Sequence, residues 1–260
     1  MKYLVCNFKN KLLKDDIVVY NRNLGEISTK TKLVLIPPVC FLSMFDKTGY
    51  DLGVQDISSF MDRTITGEIE ASQVKSLGVT YVIIGHSERR NYKHEINIDF
   101  INKINNANEV GLKVIYCIGE SLQDRENGNT YMVLEKQISE VLNNVSLKNI
   151  IIAYEPVWSI GTGVTPERDD IVETIDFIKD LIMEKYESKI DCLYGGSVND
   201  KNIEELASIK GLSGFLVGGA SLDVDKVKSM LLSMESWYIR QNNSFIYKSR
   251  HYSTIIFVAF

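Results

Sequence analysis

The chain has 260 residues and a hydrophobic fraction of 45%, which is enough to bury the core of one large domain. Its formal net charge is -5, so it lacks the excess of basic residues by which proteins bind nucleic acids through the phosphates. No apolar run approaches the roughly 20 residues of a membrane-spanning helix, and no signal peptide precedes the first predicted strand. These features predict a soluble cytoplasmic protein that binds neither nucleic acid nor membrane.

Strand and helix patterns alternate along the chain. Short apolar runs predict strands at Tyr3–Asn7, Lys32–Ile36, Leu52–Gln55, Tyr81–Gly85, Lys113–Cys117, Ile150–Glu155, Cys192–Gly195 and Phe215–Val217. Helical periodicity is clearest at Ile96–Val110, Tyr131–Leu142, Pro166–Tyr186 and Val224–Met234. The connection Phe41–Tyr50 leaves room for only a short helix. The alternation favours an α/β fold of one domain, a closed (β/α)8 barrel, although a doubly wound parallel sheet has a similar pattern.

The cysteines are scattered and form no C-x-x-C pair. Each lies in or beside an apolar run, which predicts buried free thiols rather than disulfides or zinc ligands. The four residues are Cys6, Cys40, Cys117 and Cys192. We therefore expect no metal site.

Polar and glycine-rich segments follow five of the predicted strands. They are Asn7-Phe8-Lys9, Gly85-His86-Ser87-Glu88-Arg89-Arg90, Glu155, Tyr194-Gly195-Gly196-Ser197-Val198 and Gly218-Gly219-Ala220-Ser221-Leu222. In a barrel the C-terminal ends of the strands converge on one face, so these segments would line one pocket.

The segment Ala153–Gly163 combines groups that suit proton abstraction from an anionic substrate. Glu155 ends an apolar strand, and Pro156 restricts the backbone directly after it. Gly161 and Gly163 give the following loop backbone freedom and open N–H donors. The alternative is an ordinary strand-to-helix connection in which Glu155 caps a helix.

The ordered motifs N-x-K, G-H-S-E-R-R, A-Y-E-P-V-W-x-I-G-T-G, Y-G-G-S-V and V-G-G-A-S-L strongly resemble the triosephosphate isomerase family. The resemblance runs in register from Met1 to about Met234. It implies a TIM barrel that interconverts dihydroxyacetone phosphate and D-glyceraldehyde 3-phosphate through an enediolate, without metal or organic cofactor. This family is a standard example of a glutamate base, a neutral histidine and a loop that closes over them.

The resemblance implies a role for each polar residue at the pocket. Glu155 would be the base that removes a proton next to the substrate carbonyl, and His86 the neutral group that polarises this carbonyl. Lys9 would stabilise the substrate dianion and the developing oxyanion, with Asn7 orienting it. Taken alone, Lys9 would be interpreted as a solvated surface charge.

Further residues would support the reaction. Glu88 resembles a family carboxylate near Lys9 and His86, or else is an acid in the first turn of a helix. Cys117 would pack beneath the site rather than act as a nucleophile. Backbone N–H groups at the phosphate would come from Gly161, Ser197, Gly218 and Gly219, in place of another full charge. These glycines also suit tight turns.

The segment Gln55–Glu68 is long and polar, and loops of this length are usually functional. It ends in Thr66-Gly67-Glu68, which resembles the family loop that inserts into a neighbouring subunit near its Asn and Lys. A homodimer is the natural inference. The segment Asn91–Phe100 departs from the family pattern and keeps only Glu95 of it.

Residues 235–260 lie beyond the resemblance and end in an apolar run, Ile255–Phe260. A tail packed on the outside of the barrel or poorly ordered is the simplest interpretation. Two alternative functions remain open at this point. One is the isomerisation of another small sugar phosphate, and the other is a non-catalytic barrel that binds phosphorylated metabolites.

Overall fold

The computed structural model describes residues 2–45, 48–60, 64–161 and 165–236. Within these ranges, parallel strands pair in sequence order, and the last pairs with the first to close a barrel. The strands are β1 Tyr3–Asn7, β2 Lys32–Ile36, β3 Asp51–Val54, β4 Tyr81–Ile84, β5 Lys113–Ile118, β6 Ile150–Tyr154, β7 Asp191–Tyr194 and β8 Gly214–Val217. The predicted (β/α)8 barrel is confirmed, and the doubly wound sheet is wrong because β8 pairs with β1 and leaves no edge strand.

Helices connect the strands around the outside. They are α1 Lys14–Leu24, α2 Ala71–Ser76, α3 Ser87–Lys93, α4 Asn97–Glu109, α5 Leu122–Glu126, α6 Thr130–Leu142, α7 Arg168–Tyr186, α8 Ile203–Ala207 and α9 at residues 224–236. The connection after β2 holds only a 3₁₀ helix, Val39–Met44. Within the described ranges, every helix is too short or too polar to cross a lipid bilayer.

Strand residues alternate between two hydrophobic layers. One set faces the barrel interior, as Val5, Ile115 and Ala153 do, and packs there with the inward residues of the other strands. The other set packs against the apolar stripes of the surrounding helices, and it includes Leu4 and Ile152. Burying each such side chain stabilises the fold by roughly 1.5–3 kcal/mol relative to exposure.

The same alternation places polar residues at the mouth of the barrel. In β1, Tyr3 and Val5 face inward, so Asn7 two residues later also faces the axis. In β6, Ile151 and Ala153 face inward, and Glu155 follows on the same side, one residue past the strand end. A period of two along β1 and β6 therefore brings two distant polar residues to one end of the barrel.

One cysteine differs from the prediction. Cys6, Cys117 and Cys192 are buried free thiols, whereas Cys40 is exposed. Cys40 lies in the 3₁₀ helix Val39–Met44, on the surface after β2, and not in a strand. The prediction that every cysteine is buried was wrong because this short helix buries Leu42 and leaves Cys40 on its exposed side.

Candidate active site

A cavity of about 310 Å³ opens at the C-terminal ends of the strands. Its wall includes Asn7, Lys9, His86, Glu155, Gly161, Ser197, Gly218 and Gly219. These are the residues that the sequence placed at the mouth of a barrel, from segments up to 212 positions apart. The structure brings this set together in one pocket.

Glu155 is the most deeply buried acid of this cavity, with 2% of its surface exposed. Its Oε1 lies 3.4 Å from Nε2 of His86. Its Oε2 is buried and has no hydrogen-bond partner among the described residues. Gly195 makes room for this side chain, because a Cβ there would lie 2.8 Å from Cγ of Glu155. The geometry leaves one carboxylate oxygen without a hydrogen-bond donor among the described residues.

His86 stands directly before α3 and caps it. Its Nδ1 accepts the backbone N–H of Glu88 at 3.2 Å, so Nδ1 carries a lone pair rather than a proton. In a neutral imidazole the proton is then on Nε2, the nitrogen that faces Glu155. This arrangement presents an N–H donor to the cavity.

Lys9 adopts a left-handed backbone conformation with φ of +50°. For a residue with a side chain this costs about 1–2 kcal/mol. Two hydrogen bonds hold the conformation: the Lys9 N–H donates to Oδ1 of Asn7 at 3.0 Å, and Nε2 of Gln55 donates to the Lys9 carbonyl at 2.6 Å. The predicted orienting contact between Asn7 and Lys9 is thus a backbone contact.

Glu88 fits both interpretations given for it from the sequence. Its Oε1 accepts a hydrogen bond from Nζ of Lys9 at 2.7 Å, and its Oε2 lies 3.7 Å from Nδ1 of His86. It also lies in the first turn of α3, where the helix dipole favours an acid. A single carboxylate therefore links the lysine and the histidine of the cavity.

Cys117 lies beneath the cavity. Burial raises the pKa of its thiol well above the usual value, and the neighbouring Glu155 carboxylate adds to this effect. Such a thiol stays protonated and is a poor nucleophile.

Arg90 supports the strand ends next to this cysteine. It donates to the carbonyls of Gly85 and Cys117 at 2.8 and 3.0 Å, and its guanidinium stacks 4.3 Å from the centre of the Phe100 ring. Arg90 belongs to the G-H-S-E-R-R motif, but the motif alone does not predict this supporting role.

Backbone-rich segments form the end of the cavity where the sequence predicts phosphate binding. Gly161, Ser197, Gly218 and Gly219 line it, as the sequence predicted. Ser197 already has partners: its Oγ donates to the Ser159 carbonyl at 2.6 Å and its N–H to Oγ of Ser159 at 3.3 Å. Thr162, Gly163 and Val164 lie outside the described residues. Lys226 also lines this end, and the sequence reasoning missed it.

A buried carboxylate anchors the segment that follows Glu155. Glu120 is fully buried and accepts hydrogen bonds from Tyr154 Oη at 3.1 Å and from Trp158 Nε1 at 3.2 Å. Arg125 lies 3.6 Å from the same carboxylate oxygen and stacks over the Trp158 ring. Glu120 was missed because an acid after a strand is more often exposed.

A second cleft of about 430 Å³ adjoins the first and shares Asn7, Lys9 and His86 with it. Gln55, Tyr92 and Lys93 complete its outer wall. Thr66 is exposed and lines neither cleft, so the structure of one chain does not bring it to the site.

Below this second cleft, four charged side chains link the segment after β3 to helices α3 and α4. Arg89 pairs with Asp56 at 2.6 Å and with Glu95, and the buried Lys103 bonds the same two acids at 2.7 and 2.6 Å. Burial raises the pKa of Asp56 to about 6, against the lowering effect of Lys103. Glu95 therefore keeps two basic partners although the surrounding segment departs from the family pattern.

The described residues contain no group of three or more His, Cys, Asp and Glu side chains arranged to hold a metal ion. The ionisable side chains that line the main cavity are instead the Glu155 carboxylate, the His86 imidazole and the ammonium groups of Lys9 and Lys226. This set can move a proton and stabilise an oxyanion.

Comparison with known proteins agrees with this geometry. Residues 2–234 match the family model described as triosephosphate isomerase. The triosephosphate isomerase of Dictyoglomus thermophilum is 43% identical over 231 residues, which cover 85% of this chain and 91% of that protein. That of Alkaliphilus oremlandii is 38% identical, over 84% of this chain and 92% of that protein. That of Mesomycoplasma hyopneumoniae is 37% identical, over 90% and 96% respectively.

Proposed function

The chain belongs to the triosephosphate isomerase family and interconverts dihydroxyacetone phosphate and D-glyceraldehyde 3-phosphate, and on this premise we propose roles for its residues. The observation that carries the proposal is the buried Glu155 carboxylate: its Oε1 lies 3.4 Å from Nε2 of His86, and its Oε2 has no hydrogen-bond partner among the described residues. The Oε2 atom therefore has a lone pair that can accept a proton from the substrate.

The reaction is a proton transfer between two neighbouring carbons. Oε2 of Glu155 takes a proton from the carbon next to the carbonyl, and the electrons of that C–H bond form the C=C bond of an enediolate. The N–H at Nε2 of His86 donates to the oxygen that gains negative charge. The hydroxyl proton must also move to the former carbonyl oxygen, and His86 carries it: Nε2 gives its proton to that oxygen and takes one from the hydroxyl oxygen. Glu155 then returns its proton to the former carbonyl carbon, so both residues end the cycle as they began.

Lys9 and the glycine segments hold the anionic parts of the substrate. The Lys9 ammonium lies next to Gly218, since a Cβ there would be 3.4 Å from Cε and 4.0 Å from Nζ of Lys9. It can therefore act on the enediolate oxygen and on the phosphate together. At Gly161, Gly219 and Ser197 the backbone lines the cavity, so the phosphate oxygens can come close to it.

We further propose a homodimer that works in the cytoplasm, within glycolysis and gluconeogenesis. Large apolar side chains are exposed around the second cleft and the loop that follows β3, including Tyr92 at 78%, Ile96 at 61% and Phe60 at 51%. The Thr66–Gly67 tip of a second copy would enter the cleft beside Lys9. Such an arrangement covers these side chains and narrows the solvent access to the lysine.

A coupled assay with D-glyceraldehyde 3-phosphate tests the function, and Glu155→Gln tests the assignment of the base. We expect the variant to lose about 10²–10⁴-fold in kcat, while it keeps its affinity for inorganic phosphate, because only the base is lost. Turnover within about tenfold of the parent would refute the role of Glu155. Parent protein that isomerises only another sugar phosphate, or that binds without turnover, would refute the substrate or the activity itself.

A further inference from the structure

Lys226 is a basic residue at the phosphate end of the cavity. It lies in the first turn of α9 and lines the cavity together with Gly218, Gly219 and Ser197. Its side chain is exposed, so the ammonium group stays hydrated until a ligand arrives. The glycines have no side chains to shield the space between this lysine and the phosphate region.

The charge balance of the cavity depends on this residue. Among its described lining residues the ionised side chains are Lys9, Glu155 and Lys226. The positive charge of Lys9 and the negative charge of Glu155 cancel. Glu88 lies 2.7 Å from the Lys9 ammonium and lowers the positive potential around it further. Without Lys226, a phosphate dianion would enter a pocket without net positive charge.

The Lys226 ammonium is available for this task. It forms no ion pair within the part of the chain that the structure describes. Asp223, three residues before it, points at the backbone: its Oδ1 accepts the N–H groups of Asp225 and Lys226 at 3.0 and 3.3 Å. Asp223 thereby caps α9.

We propose that Lys226 is a second phosphate-recruiting cation, which draws the dianion of the triose phosphate to the glycine-lined end of the cavity. The inference rests on the proposed function and deepens it. Triosephosphate isomerase is a standard example of an enzyme near the diffusional limit, where the rate of encounter sets kcat/KM. A cation at the entrance raises that rate and leaves the proton transfer unchanged.

The test compares Lys226→Gln and Lys226→Glu with Lys148→Gln. Lys148 is an exposed lysine just before β6, at the opposite end of the barrel, so this control removes the same charge far from the cavity. At an ionic strength of about 0.02 M we expect kcat/KM to fall roughly threefold to tenfold for Lys226→Gln and further for Lys226→Glu. The difference should shrink below about twofold at 0.5 M sodium chloride, because salt screens the exposed charge.

A second measurement separates this inference from the proposed function. Titration of each folded protein with inorganic phosphate, followed by NMR, should show weaker binding for Lys226→Gln and unchanged binding for Lys148→Gln. A parent without isomerase activity would refute the proposed function, and the phosphate titration would still decide the role of Lys226. Variants of Lys226 that match the parent in phosphate affinity and in salt-dependent kcat/KM would overturn the inference, as would a loss confined to kcat.

Discussion

At the scale of single residues, Lys9 depends on three neighbours, of which Gln55 and Glu88 are distant in sequence. Asn7 and Gln55 hold its left-handed backbone, while Glu88 bonds its ammonium group. The strained backbone persists because each hydrogen bond contributes about 0.5–1.5 kcal/mol, which offsets the conformational cost. The charge is thus held in place from two sides before any substrate arrives.

This placement predicts that Lys9→Met weakens phosphate binding as well as turnover, because the ammonium acts on the ground state and the transition state alike. Lys11→Met is the matched control, since Lys11 is exposed in the same connection and outside both clefts. Steady-state kinetics with inorganic phosphate as inhibitor measures both effects. A variant that loses kcat and keeps its phosphate affinity would contradict the role given to Lys9.

Sequence motifs predicted the position of the chemical groups but not that of their supports. Glu155 and His86 end apolar strands, and this local signal is enough to place them at the mouth of a barrel. Gln55 and Glu120 act through contacts with Lys9 and Trp158, 46 and 38 positions away. Such contacts depend on how neighbouring strands align, and a single sequence does not encode that alignment in any local pattern.

At the scale of elements, hydrophobic periodicity predicted each strand to within about one residue. The predicted strand Leu52–Gln55 is Asp51–Val54, because Asp51 pairs with Val34 of β2 despite its charge. The predicted helix Pro166–Tyr186 begins at Arg168, because Glu167 is still extended, with ψ of 147°. Backbone pairing and dihedral angles, rather than polarity, set these ends.

The end of α7 gives a prediction for stability. Glu187 follows this helix with φ of +50°, a conformation that glycine adopts without strain. Glu187→Gly should therefore raise the free energy of unfolding by about 0.5–1 kcal/mol. Glu184→Gly, the same change at an exposed position inside α7, should lower it by about 1 kcal/mol. Urea denaturation at one fixed protein concentration measures both free energies of unfolding. A change in the same direction for both variants would refute the argument.

At the scale of the whole molecule, the second cleft and the exposed apolar side chains around it predict a dimer. Light scattering should give about 59 kDa, twice the chain mass of 29.5 kDa. Replacing Tyr92 by Asp should shift the mass towards one chain and lower the activity, because a charge would be buried between the copies. A parent that stays monomeric and fully active on dilution would contradict the dimer.

The end of α9 shows at which end of the barrel the last described helix stops. The helix continues to residue 236, and Glu235 accepts hydrogen bonds from the Thr29 hydroxyl and, at 2.8 Å, from the Lys30 N–H. Both partners lie just before β2, at the N-terminal end of the barrel and opposite the cavity. Residues 237–260 lie outside the described ranges, and they follow a helix that ends on this far side.

We therefore predict that a chain ending at Ser236 keeps kcat/KM within about threefold of the parent, a change in barrier below roughly 1 kcal/mol. A chain ending at Met234 should keep a similar kcat/KM but unfold more easily than the Ser236 form, by about 1–2 kcal/mol. The reason is that it loses the Glu235 hydrogen bonds to the connection before β2. Coupled assays and thermal unfolding of both chains provide the comparison. A folded Ser236 form that has lost a hundredfold in kcat/KM would show that residues 237–260 contribute to the cavity from the far side of the barrel or from a second copy.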